Sequence, residues 1–352
     1  MPELSSRAAA LSPPHAHGAP VALAEFRAAA EDFAVEEDLG FAPAGAGSHF
    51  LLKVRKVNAN TAWVARELAR LAHCRPHEVG YAGLKDRRAV AVQWFSVPRP
   101  RTAVDFSALS APDFSVLEAH AHNRKLPRGA LSGNRFRIRL RPRTGSEAQL
   151  AAQLAPRLEA VRLQGVPNYF GPQRFGREGA NLERLAGDPA TLHPSERGFV
   201  LSAARSVIFN AVLAERVASG TWGQLQAGDL AALDGRGSHF AVTAPDEVLR
   251  ERAARLEIHP TGPMWGQGEL ATQAGVAALE AAVAARYARE CAACAGAGMR
   301  QERRSLRLAV HELTLTEEPA ALLVAFRLGK GSFATAVLRE LLAAPGDLPE
   351  GG

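Results

Sequence analysis

The sequence predicts an α+β fold in which strand-rich ends flank a more helical centre. Two observations carry this. Runs with period-two alternation fall before about Gly145 and again after Ser305, while Ala-, Leu-, Glu- and Arg-rich segments fill the stretch between them. The composition, 47% hydrophobic and 22% charged in 352 residues, belongs to a chain that can bury a core. At roughly 100 to 200 residues per domain the length suggests two domains.

The elements follow in order. The opening stretch to about Ala24, with its Pro, Ala and His, has no period and reads as a loose or extended lead-in. In HFLLKVRKV (49–57) Phe50, Leu52 and Val54 alternate as in a strand, and Asn60 then precedes a helical run with Val64, Leu68 and Leu71 on one face. Val90 to Val97 is a second strand, entered from Gly80-Tyr-Ala-Gly-Leu-Lys-Asp-Arg, so those glycines and charges sit on a loop at a strand's mouth. From Asn134 to Arg141, Phe136, Ile138 and Leu140 alternate with Arg135, Arg137, Arg139 and Arg141, predicting one core face and one wholly cationic face. Helices are expected at 147–163, 201–218, 246–256 and 270–295. Strand patterning returns at Leu306, Leu308 and Val310 and at Ala320 to Leu328, followed by the loop Gly329-Lys-Gly-Ser-Phe and a helix from Ala334 to Leu342. This arrangement suggests a domain at 165–308 inserted between 1–164 and 309–352.

Lys and Arg number 42 against 36 Asp and Glu, a formal charge of +6. The excess is segregated: residues 121–145 contain eight bases and no acid, which favours a polyanionic partner. No window approaches the ~18 uninterrupted apolar residues of a spanning helix, and Pro13, Pro14, His15, His17 and Glu25 interrupt any signal peptide. A cytoplasmic protein without a membrane partner is expected. Cys74, Cys291 and Cys294 read as reduced thiols, and Cys291-x-x-Cys294 lacks a second pair at zinc-finger spacing, so no metal site is expected. Gly329-Lys-Gly-Ser lacks the earlier glycine of a P-loop, and neither Gly-x-Ser-x-Gly nor His-Glu-x-x-His occurs.

Three segments could carry chemistry. Asp86 is a carboxylate set between Lys85 and Arg87-Arg88; a solvated turn acid is the commoner occupant of such a position, but loops at strand mouths also display functional side chains. In Pro167-Asn-Tyr-Phe-Gly-Pro-Gln-Arg-Phe-Gly-Arg the rings and guanidiniums suit either stacking on unpaired bases with Arg on phosphate, or a packed hinge. Asn134, after Gly133, suits a pyrimidine's Watson–Crick edge or a turn cap.

Together, GYAGLKDRRAVAVQWFSV (80–97), GNRFRIRLR (133–141), GVPNYFGPQRFG (165–176), LSAARSVIFN (201–210) and GSFATAVLRELL (331–342) closely resemble the TruD family of tRNA pseudouridine synthases. The resemblance runs from about Glu31-Asp32-Phe33 to Leu342. It implies a pseudouridine-synthase catalytic domain on a mixed, largely antiparallel sheet, interrupted by an α/β domain peculiar to the family. It further implies an isomerase that converts a tRNA uridine, nucleotide 13 in bacterial members, without a cofactor. Tested residue by residue, the family's nucleophilic aspartate corresponds to Asp86. Its uridine pocket corresponds to Phe33, Asn134 and Phe333, with Phe136 on the same side of its strand as Asn134. The basic partner of the aspartate corresponds to Arg27, where the family more often has Lys; Ala30 replaces the usual Pro, and Ala91 stands where many members have Thr. The implied partner is tRNA, with no obligate protein partner, and a monomer is expected.

Pseudouridine formation cleaves the bond from ribose to N1, turns the captive uracil and rejoins it through C5. Asp86 could attack the anomeric carbon or remove the 2′ proton. The arginines 135, 137, 139 and 141 are expected to contact phosphates and to make binding salt-dependent. Two other classes compete: a non-catalytic RNA-binding protein on the same scaffold, and a glycoside-cleaving enzyme, which would need a second carboxyl where the nearby motif residues are basic.

Overall fold

The computed structural model describes residues 12–106, 110–187 and 189–343. They fall into two compact units. The first comprises Leu23–Gln153 and His311–Gly331; the second comprises Leu154–Val310 with the described residues before Leu23 and after Gly331. In chain order the main elements are β1 (Ala24–Glu25), β2 (Phe33–Asp38), β3 (His49–Val57), α1 (Thr61–Leu71), β4 (Gly80–Tyr81), β5 (Val90–Pro98), β6 (Ser110–Ala111), β7 (Phe114–His122), β8 (Gly133–Pro142) and α2 (Glu147–Gln164). They continue with β9 (Val166–Pro167), α3 (Pro194–Ala218), β10 (Asp229–Leu233), β11 (His239–Val242), α4 (Glu247–Ala254), β12 (Ile258–Met264), α5 (Ala274–Arg286) and α6 (Ala288–Gly296). The chain ends with β13 (Glu302–Ser305), β14 (Arg307–Leu308), β15 (His311–Glu318), β16 (Ala321–Gly329) and α7 (Ala334–Leu341).

The first unit is built on one sheet in the order β15-β16-β8-β2-β5-β3-β7-β6, with β1 joined to β8 and β4 to β5. Among the described residues of this sheet only the β2–β5 pairing is parallel, so the sheet is mixed and largely antiparallel, as expected. Helix α1 starts where Asn60 Oδ1 accepts the Ala62 N–H at 2.9 Å. Its Val64, Ala65 and Leu68 pack on Leu52 and Val54 of β3 and on Phe95 and Val97 of β5.

Strand β8 differs from its sequence reading on its polar face. Phe136, Ile138 and Leu140 are buried. Their alternating arginines, however, do not form an open cationic face. Arg135 pairs with Asp38 and Glu312, Arg139 with Glu318, and Arg141 with Asp32. Burial alone would raise the Asp32 carboxyl, but hydrogen bonds from Arg141 and the Ala29 N–H hold it below its ordinary range. Only Arg137 of the four has no carboxylate partner among the described residues. The acids arrive from strands and turns distant in sequence, so no window of sequence could reveal them.

In the second unit α3 is the central helix. It packs Val207, Ile208 and Phe209 against Tyr169, Phe170, Phe175 and Cys294. By length and composition α3 could cross a membrane, but 72% of its most apolar window is buried inside the protein. It begins at Pro194 rather than at residue 201, and the helix expected at 270–295 is broken at Tyr287 into α5 and α6. This unit also holds an antiparallel sheet in the order β11-β10-β12-β13. The residues did not suggest β12 because Pro260 and Pro263 remove ladder donors and read as turn signals.

The lead-in is not loose where it is described. The N–H groups of Ala16 and His17 donate to Glu340 Oε2, Arg157 donates to the carbonyls of Gly18 and Ala19, and Arg339 donates to that of Pro13. The part before residue 12 lies outside the described residues.

Candidate active site

Asp86 lies on the loop between β4 and β5; three buried side chains hold the backbone of that loop and a fourth holds the Lys85 side chain. Gln93 Nε2 donates to Gly83 O at 2.6 Å, and Thr61 Oγ1 donates to Gln93 Oε1 at 3.1 Å while accepting the Lys85 N–H at 3.1 Å. Lys56 Nζ donates to Asp86 O at 2.9 Å and to Ala59 O at 2.8 Å. Lys85 turns inward to Glu37, with Nζ 2.6 Å from Oε1, and Glu37 Oε2 accepts the Trp94 N–H at 2.9 Å. Glu37, Lys56, Thr61 and Gln93 are all buried. The Asp86 side chain, in contrast, is 48% exposed. A fixed backbone therefore presents an open carboxylate.

Strand register gathers the remaining residues on one side of the sheet. Glu37 faces Asn134 and Val35 faces Phe136 across β2–β8, Val35 faces Ala91 across β2–β5, and Lys56 faces Ala91 across β3–β5. Directly opposed residues share a face, so Phe33, Glu37, Lys56, Asn134 and Phe136 point the same way. Phe33 and Phe136 meet edge-on with ring centroids 6.1 Å apart, and Phe136 stacks on Phe326 at 5.3 Å.

Arg27 links this wall to the carboxylate. Its Nη2 donates to Asp86 Oδ2 at 3.0 Å, and its guanidinium lies 4.0 Å from the centroid of the Phe33 ring. Burial lowers the Arg27 pKa, and the Asp86 charge opposes that shift. Arg27 has φ 78°, the left-handed region, which costs a residue with a Cβ about 1–2 kcal/mol. Its Nε and Nη1 are buried without partners, as is Asn134 Oδ1. The other Asp86 oxygen, Oδ1, has no hydrogen bond to the described protein. The site thus offers one unengaged carboxylate oxygen, an unfilled amide acceptor and unfilled guanidinium donors.

Of the residues expected from sequence, Asp86, Arg27, Phe33, Phe136 and Asn134 belong to the first unit and are brought together there. Phe33 is covered by Arg27 and is only 2% exposed. Phe333 belongs to the second unit, where it precedes α7, is 38% exposed and has the Arg174 guanidinium 6.0 Å from its ring. The rings of the 167–177 segment are packed rather than offered for stacking, since Tyr169, Phe170 and Phe175 are buried.

Sequence reasoning missed Lys56, Glu37, Thr61 and Gln93. A signal existed for the first. The period-two series Phe50, Leu52, Val54 continues to position 56, which places a lysine on an apolar face. Burial pushes the Lys56 ammonium down to about 8, with Asp86 and Glu37 opposing and Lys85 adding to the shift. Gln93 likewise interrupts a buried apolar strand.

The family model described as tRNA pseudouridine synthase D (TruD) matches residues 16–188 and 189–341. The chain is 44% identical to tRNA pseudouridine synthase D of Nitrosococcus oceani over 334 residues, covering 92% of this chain and 91% of that protein. It is 46% identical over 352 residues to the protein of the same name from Xanthomonas campestris pv. campestris strain 8004, covering 93% and 94%. A crystal structure from Methanosarcina mazei described as tRNA pseudouridine synthase D (TruD) shares the fold, with a TM-score of 0.72, 20% identity and coverage of 95% and 96%.

Proposed function

Because the chain belongs to the TruD family of tRNA pseudouridine synthases, we propose that it isomerises uridine 13 of tRNA to pseudouridine, with Asp86 as nucleophile and no cofactor. The observation that carries the reading is the contrast at Asp86: its backbone is held by Lys56, Gln93 and Thr61 through the loop, while Oδ1 is unengaged. The reaction is redox-neutral. The C1′–N1 bond breaks, a C1′–C5 bond forms, and the proton lost from C5 is matched by the one gained at N1. Oδ1 serves either attack on C1′ or removal of the 2′ proton. Arg27 aims the carboxylate by pairing with Oδ2. The unfilled Asn134 Oδ1 accepts the N3–H of the detached uracil. Phe33 and Phe136 form the wall behind these groups.

Uridine in a folded tRNA is screened by stacking, so the nucleotide must leave the stack to react. We read 165–308 as the family's inserted domain, supported by the grouping of Leu154–Val310 in one unit. The enzyme is taken to act as a monomer in the cytoplasm. The test uses tRNA carrying 5-tritiated uridine, from which pseudouridine formation releases tritium. Asp86→Asn should bind this tRNA as the native protein does and lose at least about 100-fold in tritium release. A U13C tRNA should release none of the tritium attributable to that site. Failure of the native protein to release tritium from any tRNA would favour the non-catalytic RNA-binding alternative.

A further inference from the structure

Several arginines of the second unit are well compensated. Arg205 pairs with Glu302, Arg216 with Asp229, Arg303 with Glu280 and Arg339 with Glu340. Arg157 has no carboxylate but donates to three backbone carbonyls, those of Gly18, Ala19 and Glu340. Arg174 has neither arrangement. Its Nη1 donates to Ser202 Oγ at 2.9 Å, and it makes no other hydrogen bond and no ion pair among the described residues. Burial lowers its pKa and no carboxylate opposes the shift.

The surroundings of Arg174 add positive charge. Its guanidinium lies 5.1 Å from the Phe170 ring centroid, and that of Arg304 lies 4.3 Å from the same centroid. The Arg304 pKa is pushed down to about 10, by burial first and then by the Arg174 charge. Two guanidiniums are therefore close enough to repel. The first turn of α7 packs nearby: a Cβ on Gly171 would come 3.4 Å from Thr335 Oγ1, and Phe333 precedes that turn. A half-buried guanidinium with open donors and a like charge beside it is costly until an anion arrives.

We propose that Arg174, reinforced by the nearby charge of Arg304 and flanked by the exposed Phe333 ring, is a phosphodiester site that takes a backbone phosphate of the RNA. This rests on the reading of the chain as a tRNA uridine isomerase, since that reading makes RNA the ligand. The planar guanidinium matches two phosphate oxygens at once, and the Ser202 hydroxyl fixes its orientation. The ring beside it favours a nucleotide phosphate, whose attached base can stack, over a bare inorganic anion.

The experiment measures tRNA affinity over a salt series for the native protein, Arg174→Gln and Arg174→Lys, with tritium release followed in the same preparations. Arg174→Gln should bind about 10-fold more weakly at moderate salt, and the slope of log affinity against log salt should fall by about 0.7–0.9, one phosphate contact. Arg174→Lys should keep the native slope, because the charge remains, while losing affinity with the fork. Thermal melting separates a structural role: removal of an uncompensated charge should leave Tm unchanged or higher. A native slope in Arg174→Gln overturns the site, whether or not Tm falls. If the native protein releases tritium but the slope ignores Arg174, the site falls and the enzymatic reading stands. If the slope follows Arg174 but no tRNA is modified, the site stands and the enzymatic reading falls.

Discussion

Asp86 and Lys56 show how much one residue's function depends on another's burial. Lys56 is 0% exposed and spends its donors on the carbonyls of Ala59 and Asp86. Its pKa of about 8 in the fold lies below its ordinary 10.5. Between those pH values the unfolded chain holds more protons than the folded one, so this residue makes stability rise with pH across that window. Below about pH 8 the folded protein carries a buried ammonium and that increment is lost. Melting temperatures of the native protein and Lys56→Met should therefore differ in their pH dependence: from pH 8 to 10 the native Tm should gain on that of the variant. Parallel curves would show that Lys56 titrates as it does in the unfolded chain.

At the scale of elements, the loop that carries Asp86 is held as a unit. Thr61 comes from the first turn of α1, Gln93 from β5, Lys56 from β3 and Glu37 from β2, so four elements converge on a segment a few residues long. Gln93→Leu removes the donor to Gly83 O and the acceptor for Thr61 Oγ1. It should cost about 1–3 kcal/mol of stability, read by urea unfolding, because buried polar groups lose their partners. Tritium release should fall through kcat more than KM, since the carboxylate is displaced while the rest of the pocket remains. A stability loss with native kcat would mean that the loop needs no such support. The arginines of β8 make the opposite point: their pairing with Asp32, Asp38, Glu312 and Glu318 makes them sheet ties before they are RNA contacts.

Across the whole molecule, stability rests on separate cores with their own buried ion pairs. The second unit buries the α3 cluster, and Arg216 near the end of that helix meets Asp229 of β10 through two contacts of 3.1 Å. Both side chains are almost fully buried, 3% and 0% exposed. Asp229→Asn strands the arginine in a low-dielectric site and should destabilise the protein by about 3–5 kcal/mol, measured by chemical denaturation. Because Asp86 and its loop support lie in the other unit, the variant that remains folded should retain native tritium release per folded molecule. A loss of turnover without unfolding would overturn that independence.

The strands β3 and β8 were legible from alternation, as in Phe136, Ile138 and Leu140, and β5 and β16 from a β-rich and an apolar run, because both signals lie in a strand's own residues. Asp86, Arg27 and Asn134 were legible because their motifs are contiguous. Strand β12 was not, because Pro260 and Pro263 imitate a turn, and neither was the hold of Glu340 on the lead-in, which joins residues more than 300 positions apart. Local pattern thus determined which strands form and which side chains are candidates for chemistry. Only the tertiary structure decided which charges are neutralised, which lysine is buried and which arginine is left uncompensated, because Coulomb and desolvation energies depend on neighbours in space rather than in sequence.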